Sequence, residues 1–164
     1  MKTRRGFLCI VSVFVLFAST SFAKTKVISH RGFWKTENSA QNSLAALQKA
    51  ADIGAYGSEF DVLMTKDDVM IVNHDERIKD MVIENTFYEE LRNITLSNGE
   101  RLPTLEEYLL LGKNNKKTKL ILEIKSLSAP EKETQAVLNV INMVKKMGME
   151  KQVEYIAFSL HVVK

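Results

Sequence analysis

The apolar positions of this chain change period repeatedly along its length. Lys26-Val27-Ile28-Ser29 is a short β-type run that stops at His30-Arg31-Gly32. After a polar stretch from Lys35 to Asn42, Leu44, Leu47 and Ala51 recur at helical spacing, and Gly54 stands where a helix C-cap belongs. Residues 57–64 alternate weakly as a strand around Glu59-Phe60-Asp61-Val62. Lys66-Asp67-Asp68 marks a turn, and Met70 to His74 reads as another strand. Residues 76–102 are less regular, with a short helix near Tyr88–Arg92. Thr104 and Glu107 fit a capping box for a helix that Gly112 would end. Lys119 to Lys125 is a strong strand. Ser128 and Glu131 fit a second capping box, ahead of a helix with Val137, Val140, Ile141 and Val144 on its apolar face and Gly148 at its close. Val153 to Ser159 predicts a final strand.

Strands alternating with helices predict a parallel sheet with helical crossovers. One step does not fit. The link between the second and third strands is about five residues, whereas a parallel pair needs a crossover of about a dozen or more. Either a hairpin stands there, or a helix is missing.

The first 23 residues have a different character. Lys2, Arg4 and Arg5 precede an apolar run from Phe7 to Ala18, and Ser21-Phe22-Ala23 ends in small residues, the pattern of a secretory signal. The run is short against the about 20 residues of a membrane span. Thr3 to Leu8 also resembles a twin-arginine signal; an ordinary basic n-region is the preferred reading. Cys9 precedes the apolar core instead of following it, which counts against a lipoprotein site. The expected location is therefore secreted or periplasmic, with no stable membrane span after cleavage.

That segment changes what the charge means. The 164 residues hold 23 Lys plus Arg and 20 Asp plus Glu, a formal charge of +3. Cleavage after Ala23 removes three basic residues, no acidic ones and the single cysteine. The 141-residue remainder is formally neutral, so the basic balance gives no support to a nucleic-acid partner.

Polar residues gather at the expected strand ends. Side chains two apart share a face of a strand, so Glu59 projects with Asp61, and Glu123 with Lys125. His30 and His74 close two other strands. In α/β sheets, ligand sites collect at the C-terminal edge. Singly, each of these groups is more often a solvated surface charge; together, at one end of four strands, they mark a site. Three carboxylates suit a hard cation, Ca²⁺ or Mg²⁺. The two histidines have the chemistry of a general acid and base, and Arg31 and Lys125 that of phosphate binders.

Six segments in order resemble the glycerophosphodiester phosphodiesterases: Val27 to Gly32, Gln41 to Leu47, Gly54 to Val62, Val72 to Asp75, Leu102 to Glu107 and Leu122 to Lys125. The resemblance covers roughly residues 26–160. It implies a TIM-type (β/α)8 barrel with its site at the C-terminal mouth. It further implies a divalent metal at Glu59, Asp61 and Glu123, acid–base catalysis by His30 and His74, and phosphate binding by Arg31 and Lys125. The family barrel has a short link with an omitted helix, which would account for the five-residue step. The implied reaction is metal-assisted hydrolysis of a small-molecule glycerophosphodiester, commonly by attack of a glycerol hydroxyl through a cyclic phosphate.

Two departures stand out. Where the family usually has an acidic residue, this chain has Gln41, which could instead close a capping box onto Asn38. Only about five of eight barrel strands are present, so the chain is expected to be the N-terminal part, residues 24–164, of a longer domain, weakly active or inactive alone. The alternatives are a catalytically impaired phosphate- or metal-binding module, and a phosphodiesterase acting on lysophospholipids.

Overall fold

A computed structural model describes residues 25–163. The proposed signal, residues 1–23, lies outside the described residues.

Ile28–Ser29 forms β1. Leu44–Asp52 is α1, with Ser43 as N-cap accepting from the Ala46 N–H. The Glu100 carboxylate reaches across from a distant loop to accept from the N–H groups of Leu44 (3.0 Å) and Ala45 (3.2 Å), placing an anion at the positive end of the helix. Gly57–Met64 is β2, the span expected, but every residue in it is buried. The weak alternation has a simple cause: both faces are covered, as in parallel sheets with packed faces.

The step after β2 is a hairpin. Met70–Val72 is β3 and runs antiparallel to β2, with Val62 opposite Val72 and Met64 opposite Met70. No crossover helix is omitted there; the five-residue link is a tight return. Residues 73–103 build a small layer from the two-stranded ribbon β4 (Arg77–Ile78) and β5 (Met81–Val82), a 3₁₀ turn at Ile83–Asn85 and the short α2 (Tyr88–Leu91). Ile71, Ile83, Leu91, Ile94 and Leu102 form its own apolar cluster against Leu63 of β2.

Leu105–Asn114 is α3, started by the expected Thr104–Glu107 box. Gly112 does not end it. A Cβ there would stand 2.5 Å from Leu120 Cδ1, so the glycine lets the helix press onto the strand behind it. That strand, β6, is Lys119–Ile124. α4, Pro130–Met147, starts at Ala129 with Pro130 in its first turn. The Ser128–Glu131 box does not form: the Ser128 N–H and hydroxyl bond Glu84 instead. Gly148 closes α4 at φ 67°, and β7 is Val153–Ala157.

The main sheet has five strands. β1, β2, β6 and β7 lie side by side in that order, all parallel, and β3 pairs with β2 off this row. Each parallel step is bridged by a helix, the construction of an incomplete α/β barrel. Alternate residues of β2 and β6, including Phe60, Val62, Leu120 and Leu122, meet α1, α3 and α4 in one core. Phe60 stacks on Tyr108 of α3 at 4.2 Å between centroids. The other faces of β2 and β6 carry Glu59, Asp61 and Glu123. At the sheet edges, Val27 and Ile28 on one side and Tyr155, Ile156 and Phe158 on the other are exposed.

Candidate active site

Register brings the acids together. In the parallel pairing of β2 with β6, Asp61 lies directly opposite Glu123, and Glu59 is two residues from Asp61 on the same face. One oxygen from each of Glu59, Asp61 and Glu123 can be chosen so that all lie within 4.8 Å of one another. All three residues are buried. Like charges opposite each other in a sheet are destabilising, and buried carboxylates are tolerated where cations or hydrogen-bond donors meet them.

Some of that compensation is visible. Lys125 Nζ stands 2.8 Å from Glu123 Oε1 and 3.4 Å from Asp61 Oδ1. Burial alone would lower the Lys125 ammonium; the bond to Glu123 and the charge of Asp61 hold it above the usual lysine range. Arg31 contributes twice. Its backbone N–H donates to Glu59 Oε2 at 2.7 Å, and its Nε lies 3.9 Å from Asp61 Oδ2. The compensation is incomplete. Glu59 Oε1 and Asp61 Oδ1 are buried without a hydrogen-bond donor among the described residues. Burial pushes the Glu59 carboxyl up to about 7; the Arg31 N–H pulls it down, and Asp61 and Glu123 push it up further. An all-oxygen set with undonated buried oxygens fits a hard divalent cation.

The turn after β1 is shaped for this contact. Arg31 has φ 57° and Gly32 φ 77°, which aims the Arg31 N–H at Glu59 while the Gly32 N–H meets the carbonyls of Ser29 and Glu59. A Cβ on Gly32 would stand 2.5 Å from Ala46 Cβ. Gly32→Ala combines that clash with a left-handed φ, so it is expected to cost about 2 kcal/mol. In thermal unfolding of the full-length protein the midpoint should fall by about 4–8 °C.

Asn42 is a site residue whose role the sequence does not reveal. It is buried, its Nδ2 donates to Asp61 Oδ2 at 2.9 Å, and its Oδ1 accepts from the Asp61 N–H at 3.3 Å. It thereby fixes the rotamer of the central acid. It falls within a family-like segment, but an Asn before a Ser-capped helix reads equally as loop chemistry. Its φ of 60° and its two bonds to Asp61 exist only in three dimensions.

Gln41 lies beside Arg31: the guanidinium Nη1 donates to Gln41 Oε1. The capping box onto Asn38 does not form. A neutral acceptor here positions Arg31 without cancelling its charge. Gln41→Glu would convert the contact into an ion pair, so KM for a phosphodiester should rise about two- to fivefold with metal affinity unchanged. Steady-state kinetics and a metal titration check both halves.

The histidines differ. His30 Nε2 lies 3.8 Å from Glu59 Oε2, with its side chain 70% exposed. His74 follows β3, which runs antiparallel to β2. It lies at the same edge as the acids because the hairpin folds back until the Asn73 N–H meets the Asp61 carbonyl, not because it ends a parallel strand. His74 Nδ1 is 2.7 Å from Asp75 Oδ1, a contact that assigns the Nδ1–H tautomer to the neutral ring and leaves Nε2 as the nitrogen able to take a proton. His74 and Lys125 line one open cleft of about 410 Å³; His74, Asn42 and Gln41 line an adjoining one of about 210 Å³. The larger cleft of about 630 Å³ beside α4, including Met70, Asn139 and Met143, contains none of these groups. Of the seven predicted site residues, six are joined by direct contacts, and His74 joins them through the cleft it shares with Lys125.

Residues 30–163 match the model of the glycerophosphoryl diester phosphodiesterase family. The chain belongs to that family. A glycerophosphodiester phosphodiesterase of Caldanaerobacter subterraneus is 35% identical over 116 residues, covering 63% of this chain and 46% of the relative. The crystal structure of a glycerophosphodiester phosphodiesterase from Parabacteroides distasonis superposes with TM-score 0.83 at 50% identity, covering 84% of this chain and 58% of that one. A phosphodiesterase from Oleispira antarctica, solved with its product sn-glycerol-3-phosphate, shares the fold at 22% identity and TM-score 0.76, covering 85% and 60%. The chain thus spans about half the length of the curated relative it matches, and the Glu59–Asp61–Glu123 cluster lies within it.

Proposed function

We propose that this chain is the site-bearing part of a metal-dependent phosphodiesterase that hydrolyses glycerophosphodiesters to an alcohol and glycerol phosphate. The observation that supports it is the buried Glu59–Asp61–Glu123 cluster with Arg31 and Lys125 against it, in a chain of this family. Glu59, Asp61 and Glu123 would hold Ca²⁺ or Mg²⁺. When bound, such a cation supplies positive charge beside the phosphoryl oxygens and lowers the cost of their developing charge.

The side chains divide the remaining work. Lys125 and Arg31 bind and orient the phosphate, Lys125 as a point charge and Arg31 through the guanidinium that Gln41 steadies. Asn42 keeps Asp61 in its rotamer. His30 and His74 form the acid–base pair: one takes the proton of the attacking glycerol hydroxyl while the other delivers a proton to the oxygen of the departing alcohol, and water then opens the resulting cyclic phosphate to glycerol phosphate, its proton passing back through the same pair. Asp75 orients the His74 ring for whichever half it performs.

Full-length protein incubated with glycerophosphodiesters should release free alcohol and glycerol phosphate in equal amounts. Binding of metal and substrate without any release would favour a non-catalytic module instead. The proposed location is outside the cytoplasm, and the exported protein is expected to begin at Lys24 by mass spectrometry. Among the described residues no helix is long and apolar enough to cross a membrane.

A further inference from the structure

The two clefts that meet at His74 differ in chemistry. The more open one reaches Lys125 and so the acid cluster. The smaller one, which also includes His74, is lined by Trp34, Gln41, Asn42, Asn73 and Asp75. At about 210 Å³ it is below the about 300–1,000 Å³ that encloses a whole small ligand; it is sized for one arm of a substrate whose centre is held elsewhere. A diester with its phosphate beside Lys125 would pass one arm over His74 and into this cleft.

We propose that Trp34 is a specificity-determining residue, and that its cleft takes a cationic amino-alcohol arm of the diester in preference to a neutral polyol arm. This rests on the phosphodiesterase reading above. Two features support it. Indole is the strongest of the aromatic faces for a cation, and Trp34 is in the wall with no Phe or Tyr beside it. That wall includes the Asp75 carboxylate and neither a lysine nor an arginine. Lys35 Nζ already stands over the indole, 5.3 Å from its centroid, so an incoming cation competes with it for the ring. A neutral polyol can donate hydroxyl hydrogen bonds to Asp75, but it carries no charge for the carboxylate or the indole face to attract.

The test uses the full-length enzyme with Trp34→Ala and Trp34→Phe on three substrates: glycerophosphocholine, glycerophosphoethanolamine and glycerophosphoglycerol. Wild type is expected to prefer the two cationic diesters. Trp34→Ala should lower kcat/KM for them about five- to thirtyfold, mainly through KM, and change glycerophosphoglycerol by less than twofold. Trp34→Phe keeps an aromatic face and should recover most of the loss. A larger loss on the trimethylammonium substrate than on the primary amine would support contact through the indole face, and equal loss on both would support recognition of the shared positive charge. Equal loss on all three substrates, no loss in Trp34→Ala, or a wild-type preference for glycerophosphoglycerol would overturn the proposal while leaving the phosphodiesterase reading standing. A wild type that cleaves none of the three would overturn both.

Discussion

Glu59→Gln in the full-length protein is expected to lower glycerophosphodiester turnover by about 10²–10³-fold, abolish divalent-metal binding, and leave the metal-free fold as stable as wild type or more so. The catalytic loss follows from removing one of three anionic ligands whose cation would supply several kcal/mol of charge stabilisation. The retained stability follows from packing. Glu59 is buried with two other carboxylates within 4.8 Å, and its Oε1 has no donor. A glutamine has the same shape, can still accept from the Arg31 N–H that Glu59 Oε2 now meets at 2.7 Å, and offers an N–H₂ to the neighbouring carboxylates. It removes one like charge from a crowded buried group without opening a cavity. Thermal unfolding in chelator, isothermal titration with Ca²⁺ and Mg²⁺, and a turnover assay read the three quantities separately. A variant that loses stability along with activity would point to a structural role for Glu59 instead.

His74→Ala is expected to lower kcat by about 10²–10⁴-fold, the range for a positioned acid–base group, with metal affinity unchanged. Here the geometry separates chemistry from scaffold. His74 pairs with Asp75 through Nδ1, and it lines the clefts on either side of the site. Deleting the ring should therefore remove one limb of the pH–rate profile while leaving the acid cluster intact. Asp75→Asn keeps the ring and weakens only its orientation. Since Asp75 is 79% exposed, that variant should cost far less, within about tenfold. Equal losses for the two variants would mean that Asp75 does more than orient the imidazole. A His74→Ala enzyme with wild-type kcat would remove His74 from the chemistry altogether.

Much of this site was legible before any coordinates, for a definite reason. The period-2 rule alone places Glu59 beside Asp61 and Glu123 beside Lys125, and strands of a parallel sheet end at a common edge. What the rule does not supply is register. That Asp61 sits opposite Glu123, with no offset, comes from the pairing of β2 with β6. The five-residue link left a hairpin or a missing helix open; β3 is the return limb of a hairpin, and that return carries His74 to the edge of the sheet where Asp61 lies. Short links are the warning sign in such cases, because strand propensity says nothing of direction.

The features that escaped were long-range. Ser128 satisfies the pattern of a helix cap, yet its hydroxyl and N–H are taken by Glu84, 44 positions away. Glu100 caps α1 from 56 positions away, and Asn42 serves Asp61 across 19. Gly112 looked like a stop because glycine commonly is one; the need it meets is the approach of Leu120. Local pattern registers what a residue can do, and the partner that uses it is set by the folded chain.

The central claim is that the buried carboxylates hold a divalent cation required for phosphodiester hydrolysis. The most direct measurement is the turnover of a glycerophosphodiester by full-length protein stripped with chelator, before and after titration with Mg²⁺ or Ca²⁺. Turnover should be lost on stripping and return with saturation at one equivalent of bound metal. Full turnover in the stripped protein would contradict the account.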